Sequence, residues 1–313
     1  MRITVLGAGA MGSLFGGLLA ENGHDVTLID INDAHLAAIR SDGLRLQTDV
    51  GDRRVTRLIA CRPEAVSGAP DLLIVFTKTL HTASALAGIK QLIGGDTMLL
   101  SLQNGLGNVE TIGGFVPLEQ VLIGVTTWPA DMVGAGHVHS HGEGAIRLFS
   151  ADGVERGAVQ RCADALDGAG LRCTADPAVW AAIWEKVAFN AALNSVCAVT
   201  GCTVDQLDLL PEGRALALRI VAEVTAVARA SGIAADPDKP ARNVVHAIAH
   251  HHGHKPSMLQ DVIAGRPTEV EAINGAVVKA AARLGVPAPC TELMAMLVRL
   301  IDARAATQRQ RTI

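Results

Sequence analysis

The 313-residue chain has no tyrosine, only five phenylalanines and three tryptophans, so aromatic side chains make up 3% of it. That scarcity argues against the stacked aromatic platforms that hold single-stranded nucleic acid. A formal net charge of −4 offers no basic surface for a phosphate backbone either. Although 49% of the residues are hydrophobic, no uncharged apolar run is long enough to span a bilayer. The first residues enter an apolar run at once, without the charged, apolar and small-residue succession of a secretory signal. The six cysteines are scattered and form no CxxC pair, and the nearest two, Cys197 and Cys202, match no common zinc spacing. Together these absences predict a cytoplasmic protein with buried, reduced thiols and no nucleic-acid or membrane partner.

What the chain does have is concentrated at its start. Arg2–Leu6 is a short apolar run, followed without a gap by Gly7-Ala-Gly9-Ala10-Met11-Gly12. Ser13–Glu21 then reads as a helix, and His24–Ile29 as a second strand ending at Asp30. Strand, glycine turn, helix, strand and acid, in that order, form the dinucleotide-binding fingerprint. Gly7 permits the tight turn, Gly9 lets the backbone approach a pyrophosphate, and Gly12 lets helix and strand pack closely. The helix N-terminus, with Ala10 and Met11 in its approach, offers unpaired N–H groups and partial positive charge to phosphates. The competing reading is a glycine turn that only packs.

Asp30 bears on which dinucleotide is bound. An acid at this strand end accepts hydrogen bonds from adenosine ribose hydroxyls and repels a 2′-phosphate. No Arg or Lys lies between Asp30 and Arg40 to offset that charge, so NAD is expected over NADP. The alternative role for Asp30 is to cap the next helix, which Asn32 and Asp33 could also do.

Strand and helix signals alternate through the first half. Asp71–Phe76, Thr97–Ser101 and Val121–Val125 are continuous apolar runs, as expected of strands buried on both faces of a parallel sheet. Lys78 and Gln103-Asn104-Gly105 follow two of these runs, at the sheet edge where open α/β folds bind ligands. His137–Phe149 alternates apolar and polar residues and predicts antiparallel strands at the far side of the sheet. After Asp176-Pro177 strand signals almost vanish, and Ala-rich helical segments punctuated by Pro211, Pro237, Pro240, Pro256 and Pro287 run to the end. The expected fold is therefore α/β: a Rossmann-type, mostly parallel sheet domain at 1–175, then an all-helical domain at 176–313. A cleft between two such domains is a common place for a small substrate.

Within the helical part, Lys186, Asn190 and Asn194 recur at i, i+4 and i+8 and share one helix face. Read alone, this is either a solvated stripe or a set of donors and acceptors aimed at a ligand. Asn is a poor helix former, which favours the second reading. Further on, Glu269 could be an ordinary acid near a helix start.

The order of motifs resembles the ketopantoate reductase (2-dehydropantoate 2-reductase) family over essentially the full length. The matching stretches are GAGAMG at the start, QNG at 103–105, WxKxxxNxxxN at 184–194, SMLQD at 257–261 and TEVEAING at 268–275. The resemblance implies a Rossmann domain, a helical domain, and nicotinamide-dependent reduction of a 2-oxo acid to a 2-hydroxy acid in pantothenate biosynthesis. It makes Lys186 the catalytic acid, bonded to the 2-oxo oxygen, and Glu269 the group that orients the substrate hydroxyl and the lysine. Asn190 and Asn194 would hold substrate oxygens, and Ser257 the substrate carboxylate. Asn104 would lie near both substrate and nicotinamide ribose, with Lys78 a further cation beside the cofactor.

One departure matters. Typical pantothenate-pathway members resemble NADPH enzymes with a basic residue just after the second strand, where this chain has Asp30-Ile31. That resembles the NAD-using branch, which includes D-mandelate dehydrogenase-like enzymes acting on bulky D-2-hydroxy acids. Trp128 is equally readable as a pocket wall or as core. His137, His139 and His141 alternate along a strand, and His246, His250 and His254 recur at helical spacing. No Cys or carboxylate completes a metal site with either set, and hydride transfer needs none. The rivals are thus a D-2-hydroxy acid dehydrogenase working oxidatively and, from another class, a non-catalytic dinucleotide sensor. Loss of the lysine or glutamate would favour the sensor, and both are present. An exposed apolar helix face would allow a homodimer.

Overall fold

The apolar runs of the first half become strands whose residues are almost all inaccessible, which is why they carry no polar alternation. The computed structural model describes residues 1–311 and divides into two units, Met1–Gln103 with Asn108–Val179, and Asn104–Gly107 with the chain from Trp180 onward. The units part after Val179, and the short 104–107 segment belongs with the second.

The first unit opens with β1 (Arg2–Leu6), α1 (Ala10–Glu21), β2 (Asp25–Ile29) and α2 (Asp33–Asp42). The strands β3 (Leu44–Thr48), β4 (Gly51–Val55), β5 (Ile59–Cys61) and β6 (Leu72–Val75) follow, then α3 (Thr82–Gly88), β7 (Met98–Ser101) and α4 (Asn108–Gly113). It closes with β8 (Val121–Thr126), β9 (Asp131–Gly134), β10 (His137–His139), β11 (Ile146–Ser150), α5 (Gly157–Leu166) and β12 (Cys173–Ala175). Eight strands form the main sheet in the order β12-β11-β8-β7-β6-β1-β2-β5. All neighbours are parallel except β11, which runs antiparallel to β8. Strand order reverses between β1 and β6, and this switch point is where doubly wound sheets take dinucleotides.

Two expectations need correction. The first helix begins at Ala10, earlier than Ser13, so the last glycine of the fingerprint is already helical. His137–Phe149 does not form one antiparallel pair at the far side of the sheet; only β11 lies there. β10 joins a separate four-stranded sheet, β4-β3-β10-β9. Gly142 (φ +88°) turns the chain between β10 and β11, and the Ser140 hydroxyl donates to the Pro129 carbonyl at 2.7 Å, fixing that break.

The second unit carries α6 (Val179–Thr200), α7 (Pro211–Ala230), α8 (Lys239–His250), α9 (Ser257–Ile263), α10 (Asn274–Leu284) and α11 (Pro289–Arg311). Pro211 and Pro240 stand in first turns, where a missing N–H costs nothing, and Gly285 ends α10 in the left-handed conformation. Between Val187 and Val196, α6 is buried nearly all round. A helix that is apolar on every side belongs inside a core. Ile220 and Val224 of α7, Val277 of α10 and Val298 of α11 are fully buried in the same helical unit.

Candidate active site

Close contacts require two of the three glycines in the turn, and the third leaves its backbone open. Gly7 has φ +98°, and a Cβ there would lie 2.7 Å from the Thr77 nitrogen, just past β6. A Cβ on Gly12 would lie 2.0 Å from the Gly7 carbonyl oxygen, so α1 can sit on β1 only without one. Around Gly9, by contrast, nothing lies within 4 Å of where a Cβ would stand. No side chain caps α1 at Gly9. An open backbone at an uncapped helix N-terminus fits a pyrophosphate. Lys78 follows β6 on the opposite lip of the same switch point and is half-buried.

A buried polar relay supports this turn. The Gly136 N–H donates to His35 Nδ1 at 2.9 Å, which leaves the proton on Nε2 to bond Ser13 Oγ at 3.1 Å. Ser13 Oγ in turn donates to the Ala8 carbonyl at 2.8 Å, inside the glycine turn. Burial holds the His35 imidazole below its ordinary pKa, against an opposing pull from Asp30. Nothing in the local sequence signalled this link, because His35 and Gly136 meet only through folding.

Asp30 stands at the end of β2, and its Oδ1 accepts the N–H groups of Ile31 and Asn32 at 2.8 and 2.9 Å. The cap of α2 is Asn32, whose side chain accepts from the His35 N–H. The helix-capping reading of Asp30 therefore fails. The sequence interval between Asp30 and Arg40 holds no cation, yet folding brings one. β5 pairs with β2, and Arg62, next after β5, places Nη1 3.1 Å from the Ile31 carbonyl and 2.8 Å from Asp33 Oδ1.

In the helical unit, α6 presents Lys186, Asn190 and Asn194. Asn190 and Asn194 are only 8% and 4% exposed, which rules out a solvated stripe. Asn194 Nδ2 donates to Ser257 Oγ at 3.4 Å, so the first residue of α9 meets this face. Burial lowers the Lys186 pKa to about 8, and the Glu269 carboxylate acts in the opposite sense to keep the ammonium charged. Glu185, its neighbour in sequence, pairs instead with Lys239 at 2.5 Å. An ammonium titrating near neutrality beside a carboxylate and two buried amides can donate a proton and bind oxygen atoms.

The segment carrying Glu269 is anchored at three points. Thr268 Oγ1 donates to Asp302 of α11 at 2.7 Å. The Ala272 carbonyl accepts the Leu106 N–H at 2.8 Å, and Asn274 Nδ2 donates to the Ala191 carbonyl of α6 at 3.1 Å. Ala191 lies between Asn190 and Asn194, so Asn274 braces Glu269 against the helix that bears Lys186. Gly105 (φ +85°) completes the docking, since a Cβ there would stand 2.3 Å from the Ala272 oxygen. Asn104 is thereby in the same unit as Lys186, Asn190, Asn194, Ser257 and Glu269. Sequence reasoning missed Thr268, Gly105 and Asn274 as braces; their only signal was membership of the 103–105 and 268–275 motifs.

Two family models match this chain, ketopantoate reductase PanE/ApbA over residues 3–153 and its C-terminal counterpart over 178–302. A 2-dehydropantoate 2-reductase of Halobacterium salinarum is 36% identical over 303 residues, 96% of this chain and 98% of that one. The chain belongs to the ketopantoate reductase family. The enzyme of that name from Streptococcus pyogenes serotype M1 is 34% identical over 97% of this chain and 98% of its own length. Among solved structures, D-mandelate dehydrogenase with NADH and anilino(oxo)acetate superposes with a TM-score of 0.92. It is 30% identical, with 98% of this chain and 100% of that one covered. The 2-dehydropantoate 2-reductase of Geobacter metallireducens gives 0.90 at 31% identity, covering 96% and 99%. This family member is accordingly a nicotinamide-dependent oxidoreductase acting on CH–OH groups.

The remaining sequence candidates are placed as follows. Trp128 donates its indole N–H to the Leu171 carbonyl at 2.7 Å and packs on Gly144. His141 lies beyond β10 and bonds Asp49, so the alternating trio is not one strand face. α8 ends at His250, and the His254 ring meets His251 rather than continuing the helical stack. Among the described residues no three His, Cys, Asp or Glu are arranged to hold a metal ion. All six cysteines are unpaired thiols, four buried and two, Cys202 and Cys290, half-buried. Among the described residues no helix is long and apolar enough to cross a membrane.

Proposed function

We propose that this enzyme reduces 2-dehydropantoate to its 2-hydroxy acid, with NADH preferred over NADPH. The observation that carries the reading is Lys186, set between burial and Glu269 on the face that holds Asn190 and Asn194. When bound, the nicotinamide supplies the hydride. Lys186 is the catalytic acid: its ammonium bonds the 2-oxo oxygen, stabilises the developing alkoxide and delivers the proton. Glu269 orients the substrate hydroxyl and keeps Lys186 charged; Asn190 and Asn194 hold substrate oxygens, Ser257 the carboxylate, and Asn104 the substrate near the nicotinamide ribose. On the cofactor side Gly7, Gly9, Ala10, Met11 and Gly12 take the pyrophosphate, Asp30 the adenosine ribose, and Lys78 the charge at the opposite lip. The 1–175 region serves the cofactor and 176–313 the substrate.

A second reading has its own support. Asp30 and the likeness to an NADH-bound D-mandelate dehydrogenase also suit oxidation of a bulky D-2-hydroxy acid. We further place the enzyme in the cytoplasm as a homodimer, the latter resting on the exposed Leu293, Met296 and Leu300 along α11. Lys186→Ala tests the central role. Turnover should fall by about 10²–10⁴-fold, the usual contribution of a general acid, while NADH still binds. Turnover near that of the parent would remove Lys186 from the chemistry.

A further inference from the structure

Arg62 occupies a position that the local sequence around Asp30 conceals. Ile29 of β2 pairs with Cys61 of β5, and the Asp30 N–H donates to the Cys61 carbonyl at 3.3 Å. Asp30 and Arg62 are therefore the next residues on adjacent strands, at the carboxyl edge of the sheet. The guanidinium folds over the turn after Asp30, reaching the Ile31 carbonyl at 3.1 Å and Asp33 at 2.8 Å. Its Nε lies 3.6 Å from Glu64. Two carboxylates, Asp33 and Glu64, flank the one guanidinium, and Asp30 ends the neighbouring strand, so these four side chains together are net negative. Arg40 turns its Nη1 toward the Ala60 carbonyl at 3.5 Å.

In a dinucleotide fold an acid at this edge receives the ribose 2′-hydroxyl, and an arginine nearby accommodates a 2′-phosphate. Here both are present, and the arginine is already engaged. We propose that Arg62 is the specificity-determining residue at the cofactor's 2′ position: its hydrogen bond to Asp33 withholds it beside Asp30, which selects NADH. Once the opposing carboxylates are gone, the same guanidinium takes a 2′-phosphate, for which its planar fork is well matched. The pair is exposed, with Arg62 at 42% and Asp33 at 75%, so the substitutions leave the core untouched. This inference rests on the reading that Asp30 marks the adenosine ribose site.

The test is direct binding, by titrating the fluorescence of NADH and of NADPH with purified full-length protein and no substrate. The parent should bind NADH more tightly. The pair Asp30→Ala with Asp33→Ala should tighten NADPH by about tenfold, the effect of one close charge pair near a surface. Adding Arg62→Ala should return NADPH affinity to the parental level. The gain should also shrink as NaCl is raised, because exposed charges are screened. Equal NADPH affinity in the double and triple variants would overturn the role of Arg62. A parent that bound neither dinucleotide would overturn the ribose reading itself, and this inference with it.

Discussion

Replacing Glu269 by Gln keeps the shape of the side chain and removes the carboxylate that sustains the charge on Lys186. Burial brings that ammonium from 10.5 to about 8, with Glu269 opposing the fall. For a generic pair about 5 Å apart, a carboxylate and an ammonium attract by about 3 kcal/mol at an effective dielectric of 20 and about half that at 40. One pH unit corresponds to about 1.4 kcal/mol, and Lys186 and Glu269 are both partly exposed, so the smaller value applies and the transition should drop by about one unit. The sign follows from the chemistry. In the proposed role Lys186 is the acid and must be protonated for reduction, so kcat/KM for the 2-oxo acid should fall as pH rises through about 8. In Glu269→Gln the same limb should lie near pH 7, giving almost no loss from this cause at pH 6, about fivefold at pH 8 and close to tenfold above. Oxidation of the 2-hydroxy acid needs the neutral amine and should show the opposite slope. The assay is NADH absorbance across pH 6 to 9.5, with the limb fitted separately for each variant. Loss of a substrate contact by the glutamine lowers the whole profile without moving it. A limb that stays in place would refute the coupling of Glu269 to Lys186.

Three further substitutions probe the supports of the site. Gly12→Ala should cost about 2–3 kcal/mol, because its Cβ meets the Gly7 carbonyl at 2.0 Å, and should weaken NADH binding by at least about tenfold as the turn shifts. A parental melting temperature and unchanged NADH affinity would contradict the close-approach argument. Gly105→Ala, with φ +85° and the Ala272 oxygen 2.3 Å away, should push the 104–107 segment off the Glu269 segment. It should lower kcat/KM for the oxo acid while NADH affinity stays within about twofold, and a selective loss of NADH affinity would contradict it. His35 is held neutral by burial, below its unfolded value of 6.5. A base depressed in this way is protonated preferentially when unfolded, so stability should be lost as pH falls below 6.5 and level off below the folded pKa. His35→Gln should flatten that decline in melting temperature and cost about 1 kcal/mol at pH 7.5, whereas an unchanged pH slope would exclude His35 as its source.

The Rossmann half was readable because its signals are local. Apolar runs such as Leu72–Val75, too short for a helix, read as strands buried on two faces, and the glycine spacing states where the first turn must be tight. The small second sheet was not readable, since the β4 sequence Gly-Asp-Arg-Arg-Val has no apolar alternation and forms only by pairing with β3. In the helical half, spacing alone put Lys186, Asn190 and Asn194 on one face. It could not say whether that face was wet, because Asn tolerates both a solvated surface and a polar core. Burial of the two amides decided the matter. The braces escaped notice for a different reason. The Asn274 bond to Ala191 and the Leu106 bond to Ala272 join residues far apart in sequence, and only the folded backbone brings them together. Arg62 is the same case on the cofactor side, delivered to Asp30 by a strand of three residues.

The central claim is most directly tested by mixing the purified enzyme with 2-dehydropantoate and NADH and following the loss of absorbance, with NADPH in parallel. The account predicts rapid oxidation of NADH and slower oxidation of NADPH. Turnover with NADPH alone would preserve the reaction and contradict the assignment of Asp30. Silence with both, alongside turnover of an aromatic 2-oxo acid, would contradict 2-dehydropantoate as the substrate.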